Sequence, residues 1–370
     1  MRLVLVGGGH AHVHVVKEFG ARPAAGAELV LVGRDVRTPY SGMIPGFVAG
    51  HYTFDDCHID LARLCRSAGV RFLHAEAVGL DRARRQVLLK EGDPLPYDVL
   101  SLDVGSAPNL GGIDGADAWA IPVKPIAALG RRWQAFLEDI AGRTGPLAIV
   151  VIGGGAGGVE LALAIDHRLR RAAPGATLQV SLATKGEILD GQAAAARRRL
   201  RAIFRRRGIG LHERAAARRI ERDAVILADG RSLAADAVFV VTEASAAPWF
   251  ADTGLPLDER GFLALADTLA STGDPRIFAA GDCGTVLAHR RPKAGVFAVR
   301  QGPPLAANLR RALAGEALQP YVPQRRYLSI LGTGDGSAVA TRGEWAIEGR
   351  WIWWWKDFID RRWMNMYRES

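Results

Sequence analysis

Two stretches of the chain carry the same hydrophobic pattern. Leu3–Val6 is an unbroken apolar run that ends in Gly7-Gly8-Gly9 and passes into helical periodicity reaching Phe19. Ala148–Ile152 is a second such run, ending in Gly153-Gly154-Gly155-Ala156-Gly157-Gly158 and passing into helical periodicity over Val159–Arg171. An apolar run without alternation is the pattern of a parallel strand buried on both faces. Each copy therefore predicts strand, glycine turn and helix. Further strands are predicted at Glu28–Val32, Leu178–Leu182 and Ala237–Thr242. After about residue 320 the pattern changes. Written on a helix, Trp351, Trp355, Phe358, Ile359, Trp363 and Met366 form one stripe, with Lys356, Asp357, Asp360 and Arg361 opposite.

The glycines give the two copies a chemical meaning. Glycine lets the backbone turn tightly and approach a diphosphate, which then sits on the N–H groups at the helix start. The second copy is complete, with Gly153, Gly155 and Gly158; the first keeps Gly7 and Gly9 but has His12 where the third glycine belongs. Two copies in strand–turn–helix context predict an α/β chain with two Rossmann-like dinucleotide-binding domains. A ribose-gripping carboxylate is expected after each second strand. After the first copy that region reads Gly33-Arg34-Asp35, so Asp35 is a displaced candidate and Arg34 a partner for phosphates. After the second it reads Ala183-Thr184-Lys185; Thr184 and Lys185 suit a 2′-phosphate, which keeps NADP(H) open beside NAD(H).

Composition narrows the alternatives. With 370 residues, 49% hydrophobic and 24% charged, the chain can bury cores for two or three domains and is not of the disordered class. The net charge of +9 comes from 42 arginines against six lysines, with runs at Arg168–Arg171, Arg197–Arg201 and Arg205–Arg207. No aromatic residues interleave these runs as stacking platforms, so nucleic acid is not predicted as a partner. The three cysteines, Cys57, Cys65 and Cys283, show no Cys-x-x-Cys spacing and support neither a disulfide framework nor a zinc site. His10, His12 and His14 alternate, but a helix starting at the glycine turn splits them between faces, and no acidic or cysteine cluster adjoins them. They are expected to line the first phosphate turn, with no metal. No apolar stretch is long enough to span a membrane, and no signal segment is read at the start, so a cytoplasmic protein is expected. The tryptophan-rich tail adds a choice. Six of the nine tryptophans fall between Trp345 and Trp363, and Trp beside Arg is the make-up of an interfacial anchor as well as of a packed or dimer interface. Peripheral contact with the inner face of the cytoplasmic membrane through 345–368, and a homodimer, are both left open.

These motifs resemble the pyridine nucleotide-disulfide oxidoreductase superfamily, flavoproteins with two dinucleotide-binding domains. The closing element of that family is matched by Arg276-Ile277-Phe278-Ala279-Ala280-Gly281-Asp282-Cys283. Tyr97–Ser106, which includes Gly105, resembles the strand crossing from the nicotinamide insert back to the FAD domain. Within the superfamily the chain is most similar to type II NADH dehydrogenases, and to the flavoprotein often fused to selenide, water dikinase. Thr38–Gly46, Val123-Lys124-Pro125-Ile126 and Pro292–Gly302 carry that likeness. The resemblance implies FAD as cofactor, NAD(P)H as co-substrate and hydride transfer to flavin, with an external acceptor such as a quinone. It implies an FAD domain at 1–120 and 240–320, an NAD(P) domain at 121–239, and a C-terminal small domain or helical tail at 321–370 that meets an interface or membrane. It assigns FAD contacts to Tyr40, Ser41, Gly42, Gly105, Lys124, Gly281, Asp282 and Gly302. Glu160 would lie between nicotinamide and flavin, Lys293 would approach the isoalloxazine, and Gln301-Gly302 would open a helix aimed at the flavin pyrimidine edge. Gln301 matches one of the glutamines that mark the quinone pocket, while Val296 stands at the earlier one. A selenium- or sulfur-compound oxidoreductase, and a non-catalytic FAD-binding redox sensor, are the competing readings.

Overall fold

The computed structural model describes residues 1–368 except Gly111, Pro125 and Glu243. β1 (Arg2–Val6) runs parallel between β2 (Glu28–Gly33) and β4 (Val99–Leu102), with β3 (Arg71–His74) beyond β2. Leu3, Val4 and Leu5 are wholly buried, as a strand covered on both faces requires; each such side chain is worth about 1.5–3 kcal/mol of burial. The chain then leaves this sheet. β5 (Ala120–Pro122), β6 (Gly145–Ile152), β7 (Ala176–Ala183), β8 (Gly210–His212) and β9 (Ala237–Val240) form a second, fully parallel sheet in the order β5-β9-β6-β7-β8. It returns through β10 (Leu263–Leu265), β11 (Ala270–Ser271), β12 (Asp274–Ala279) and β13 (Gly284–Val286). These extend the first sheet to the order β13-β10-β11-β12-β4-β1-β2-β3. Ala107–Pro108 and Ala244–Ser245 pair antiparallel where the chain passes out and back. The strand within Tyr97–Ser106 therefore leads out of the first sheet rather than back into it, because β4 is already paired with β1 before the chain enters the second.

Helices follow both glycine turns: α1 (His10–Ala21) after β1 and α2 (Ala156–Ala172) after β6. α3 (Ala194–Arg207) carries the central arginine runs, and α4 (Gly295–Ala314) packs against α1. Several of these arginines make ion pairs within the protein, while Arg198, Arg199 and Arg205 are exposed. Arg197 and Arg201 pair with Glu187, Arg201 also with Glu213, Arg206 with Glu348 and Arg207 with Asp335. The C-terminal segment is more than a helical tail. β14 (Ser329–Gly332), β15 (Ala338–Arg342) and β16 (Trp345–Gly349) form an antiparallel sheet, and α5 (Arg350–Arg368) follows. Leu331, Ala338, Val339 and Ala340 join the same core as β1 and α2, and the sheet packs against α2 and α3.

Candidate active site

The first glycine turn is set by close backbone approach. Gly7 has φ +93°, and a Cβ there would lie 2.4 Å from the Asp103 carbonyl oxygen. At Gly9 a Cβ would fall 2.1 Å from Asp103 Cγ. His12 fills the place of the third glycine without opening the turn. It is fully buried, with Nδ1 2.7 Å from Gly7 O and Nε2 2.8 Å from Ser101 Oγ. A carbonyl only accepts, so Nδ1 carries the proton and Nε2 accepts from Ser101. Burial pulls its pKa down to about 4, against the Gly7 carbonyl. His10 lies 5.4 Å from the rings of both Tyr40 and Trp363, and burial likewise lowers it to about 4. His14 faces the Tyr367 hydroxyl at 3.3 Å. The three histidines thus go to three separate places. Arg34 and Asp35 stand just past β2 and pair with each other at 3.2 Å.

Asp103 was not singled out by sequence reasoning. Its Oδ2 accepts from the N–H groups of Ala11 at 3.0 Å and His12 at 3.2 Å. Burial pushes its pKa up to about 7, opposed by those N–H groups and reinforced by Asp282. The available signal was a carboxylate directly after a buried strand whose only other polar residue is Ser101.

Asp282 gathers the next layer. Its Oδ2 accepts from Lys124 Nζ at 2.9 Å and Ser106 Oγ at 3.0 Å. Burial would raise this carboxyl, but Lys124 and the hydrogen bonds outweigh it and hold it below its ordinary value. Pro125, beside Lys124, lies outside the described residues. Gly281, at φ +66°, donates its N–H to Gln301 Oε1 at 2.7 Å. Gly105, at φ +71°, has nothing within 4 Å of a Cβ position. Lys293 turns to Gly284 O at 2.6 Å and Thr285 Oγ1 at 2.9 Å, with its ammonium 4.0 Å from the Phe262 ring centroid. The helix expected to open at Gln301-Gly302 in fact begins at Gly295, so both residues lie inside α4, as do Pro303 and Pro304. The physical reason is packing. A Cβ on Gly302 would sit 2.8 Å from His14 Cβ, so α4 is seated against α1 across this stretch and helical order extends back past it. The helix start lies instead at Gly295, where a Cβ would come 2.8 Å from Ser41 Oγ.

The second turn repeats the first with more room. Gly153 has φ +129° and a Cβ there would lie 2.2 Å from Val241 O; one on Gly158 would lie 1.9 Å from Gly153 O. Gly155 has no atom within 4 Å of its Cβ position. Thr184 is buried against Gly154, and Lys185 is exposed. Glu160, in the first turns of α2, accepts from Gly332 N at 2.8 Å. Burial pushes its pKa up to about 7, against the pull of Lys356 and the Gly332 N–H. Lys356 Nζ in turn donates to Asp360 Oδ2 at 2.8 Å and to Gly42 O at 2.7 Å. Burial would lower this ammonium, but Asp360 and Glu160 prevail and raise it. Tyr40 stacks on Trp363 at 4.2 Å. Residues from 10, 40–42, 160, 282, 301 and 353–367 therefore meet between the two glycine turns.

The family model for pyridine nucleotide-disulphide oxidoreductases matches residues 1–302. The chain belongs to that family. It is an FAD-dependent oxidoreductase that uses NAD(P)H. Among its relatives is the NADH dehydrogenase-like protein YutJ of Bacillus subtilis strain 168, 23% identical over 338 residues and covering 90% of this chain and 89% of YutJ. Another is the demethylphylloquinone reductase NdbB of Synechocystis sp. PCC 6803, 24% identical over 358 residues, covering 92% and 87%. The sulfide:quinone oxidoreductase of Aquifex aeolicus shares the fold with a TM-score of 0.84 at 18% identity, covering all of this chain and 91% of that one.

Within this family member the cysteines are not placed as nucleophiles. Cys57, Cys65 and Cys283 are free and buried, and burial pushes each thiol up to about 12, where it stays protonated at neutral pH. The aromatic helix also differs from its expected orientation. Trp351, Trp354, Trp355, Phe358, Ile359 and Met366 face outward, with Trp354 66% and Phe358 61% exposed. Trp363, expected in that stripe, is buried on Tyr40, and Lys356 and Asp360, expected opposite the stripe, are buried as an ion pair. The inner face is chosen by Ile352, Trp353, Met364 and Tyr367, which fill the core, and the ion pair is tolerated there because Gly42 O and Asp360 accept from the ammonium and the charge of Glu160 favours it. No helix of the described residues is long and apolar enough to cross a membrane.

Proposed function

We propose that this oxidoreductase passes electrons from NAD(P)H through FAD to a quinone taken from a membrane surface on which α5 rests. The observation that carries the reading is the two-faced α5. Its inner face ties Lys356 to Gly42 and Glu160, while its outer face presents five large aromatic or aliphatic side chains plus Met366 to solvent. An aromatic face flanked by arginines suits the membrane interface, and an exposed apolar patch of this kind marks an interaction site. The names of two similar proteins, a demethylphylloquinone reductase and a sulfide:quinone oxidoreductase, support a quinone.

In this reading the FAD domain is 1–120 with 240–320, the NAD(P) domain is 121–239, and 321–370 closes the acceptor side. The glycine-lined turn fits FAD because Gly7 and Gly9 leave no room for a side chain while Gly8 and His10 keep N–H groups that bond to no described residue. Bound there, FAD would supply hydride uptake from nicotinamide and electron release to an acceptor. Gly105, Gly281, Asp282, Lys124, Gln301 and Gly302 would hold its ribityl and ring, with Tyr40, Ser41 and Gly42 along one side. Gly153, Gly155 and Gly158 would receive the nicotinamide nucleotide's diphosphate, with Thr184 and Lys185 at the ribose. Glu160 Oε would hand a proton to the reduced acceptor and regain it through the Lys356–Asp360 pair. Lys293 would lend positive potential to the flavin edge. The buried, protonated thiols weigh against cysteine-based sulfur or selenium chemistry.

The purified protein should show a flavin spectrum that bleaches on anaerobic titration with NADH or NADPH and recovers with a soluble quinone. A bound flavin that neither nucleotide reduces would favour the redox-sensor reading, and recovery only with polysulfide or selenium compounds would favour the sulfur–selenium one.

A further inference from the structure

The molecule contains its own control for the first glycine turn. β4 lies beside β1 as β9 lies beside β6. In the first pair Asp103 N donates to Val6 O at 2.8 Å; in the second Val241 N donates to Ile152 O at 2.8 Å. The carbonyls of the same two residues crowd Gly7 and Gly153. Residues 103 and 241 thus occupy equivalent places in the two turns, and one is a carboxylate where the other is apolar.

That carboxylate sits where charge matters most. The start of a helix leaves four N–H groups without intrahelical partners, and its dipole favours an anion. Asp103 takes two of the four, those of Ala11 and His12. A diphosphate seated on the same turn brings further negative charge against it, and like charges in a buried site strongly disfavour joint ionisation. The neighbours offer no counter-charge. Asp282 is a second carboxylate, already joined to Lys124. His10 and His12 are held neutral by burial, the Cys283 thiol is protonated, and Lys293 is engaged with Gly284 O and Thr285 Oγ1. Among the described residues no cation forms an ion pair with Asp103.

We infer that Asp103 couples FAD capture to proton uptake: its carboxylate is ionised on the α1 start in the FAD-free protein and takes one proton from solvent as the FAD diphosphate seats. Nothing is oxidised or reduced in this step; one O–H bond forms on Asp103 Oδ, and buffer loses the proton. Burial already pushes this carboxyl up to about 7, so part of the FAD-free protein holds the proton at pH 7, and uptake approaches one proton per FAD only above that pH, where it is increasingly opposed. The inference rests on the first turn being the FAD site.

The test is calorimetric titration of the flavin-stripped full-length protein with FAD at pH 8, in two buffers of different ionisation heat. The expected uptake is about one proton per FAD, with affinity falling up to about tenfold per pH unit above pH 7. Asp103→Asn and Asp103→Val should bind FAD more tightly at pH 8 with no uptake, whereas His10→Gln should retain it. FAD binding by the wild type without uptake overturns the coupling, as does undiminished uptake in Asp103→Asn or its disappearance in His10→Gln. A protein that does not bind FAD at all overturns the FAD site itself. If the Asp103 variants fail to fold, an infrared difference spectrum of the wild type decides. A protonated-carboxyl band that appears with FAD and shifts on ¹³C-aspartate labelling supports the coupling, and its absence refutes it.

Discussion

Glycines at equivalent spacing in this chain do unequal jobs, and substitution should separate them. Gly158 meets Gly153 O so closely that an added methyl must move backbone; Gly158→Ala should destabilise the protein by about 3 kcal/mol. Gly155 faces open space at φ −69°, so Gly155→Ala should fold with an unchanged melting temperature yet bind NAD(P)H at least tenfold more weakly, because the methyl would enter the site proposed for the diphosphate. Thermal melts and nucleotide titrations on the two variants distinguish these outcomes. Glu160 gives a pH prediction. Its folded pKa, pushed up to about 7, exceeds that of an unfolded glutamate, so the folded state binds the extra proton. That contribution to stability is fully present below about pH 4.5 and is lost as pH rises through about 7, a swing of up to about 3 kcal/mol. Glu160→Gln should therefore show a flatter dependence of urea midpoint on pH over that window. An equally steep dependence in the variant would place the titration elsewhere.

At the scale of elements, α5 is the informative case. The sequence stripe identified an amphipathic helix and most of its outward residues, but assigned Trp363 to the wrong side and missed Trp354. Periodicity reports which residues share a face and cannot say which face is inside when the polar side carries a lysine–aspartate pair that can be buried. Trp354→Glu with Phe358→Glu changes only exposed side chains. It should leave the melting temperature within a degree or two and reduce sedimentation with anionic liposomes at least tenfold. If binding persists while a dimer seen by light scattering is lost, the face is a subunit interface. Lys356→Met should behave differently, costing about 3–5 kcal/mol, since Asp360 is left buried without its partner.

For the whole molecule, the C-terminal segment is part of the common core rather than an appendage to it. Ile352, Trp353, Trp363 and Met364 belong to the same core as the first strand, and Tyr52 Oη donates to Asp357 Oδ1 at 2.8 Å. Truncation after Gly349 should consequently yield insoluble or molten protein rather than a soluble enzyme lacking only membrane affinity; circular dichroism and flavin content of the truncated chain measure this. The two strand–turn–helix units were legible from residues alone because a doubly buried parallel strand must be apolar throughout and the turn must be glycine. Their joint sheet order, the antiparallel sheet at 329–349 and the origin of α4 at Gly295 were not, since short strands and helix starts are set by neighbours distant in the chain. The sequence by itself determined an α/β chain with two dinucleotide-binding turns, because an apolar strand running into the closely approached glycines Gly7, Gly9, Gly153 and Gly158 is a local pattern; the flavin followed from the family resemblance. Only the tertiary structure decided that Asp103 caps the first helix and that Glu160, Lys356 and Gly42 meet. Charge placement in a buried site depends on which strands and helices become neighbours, and no local pattern encodes that.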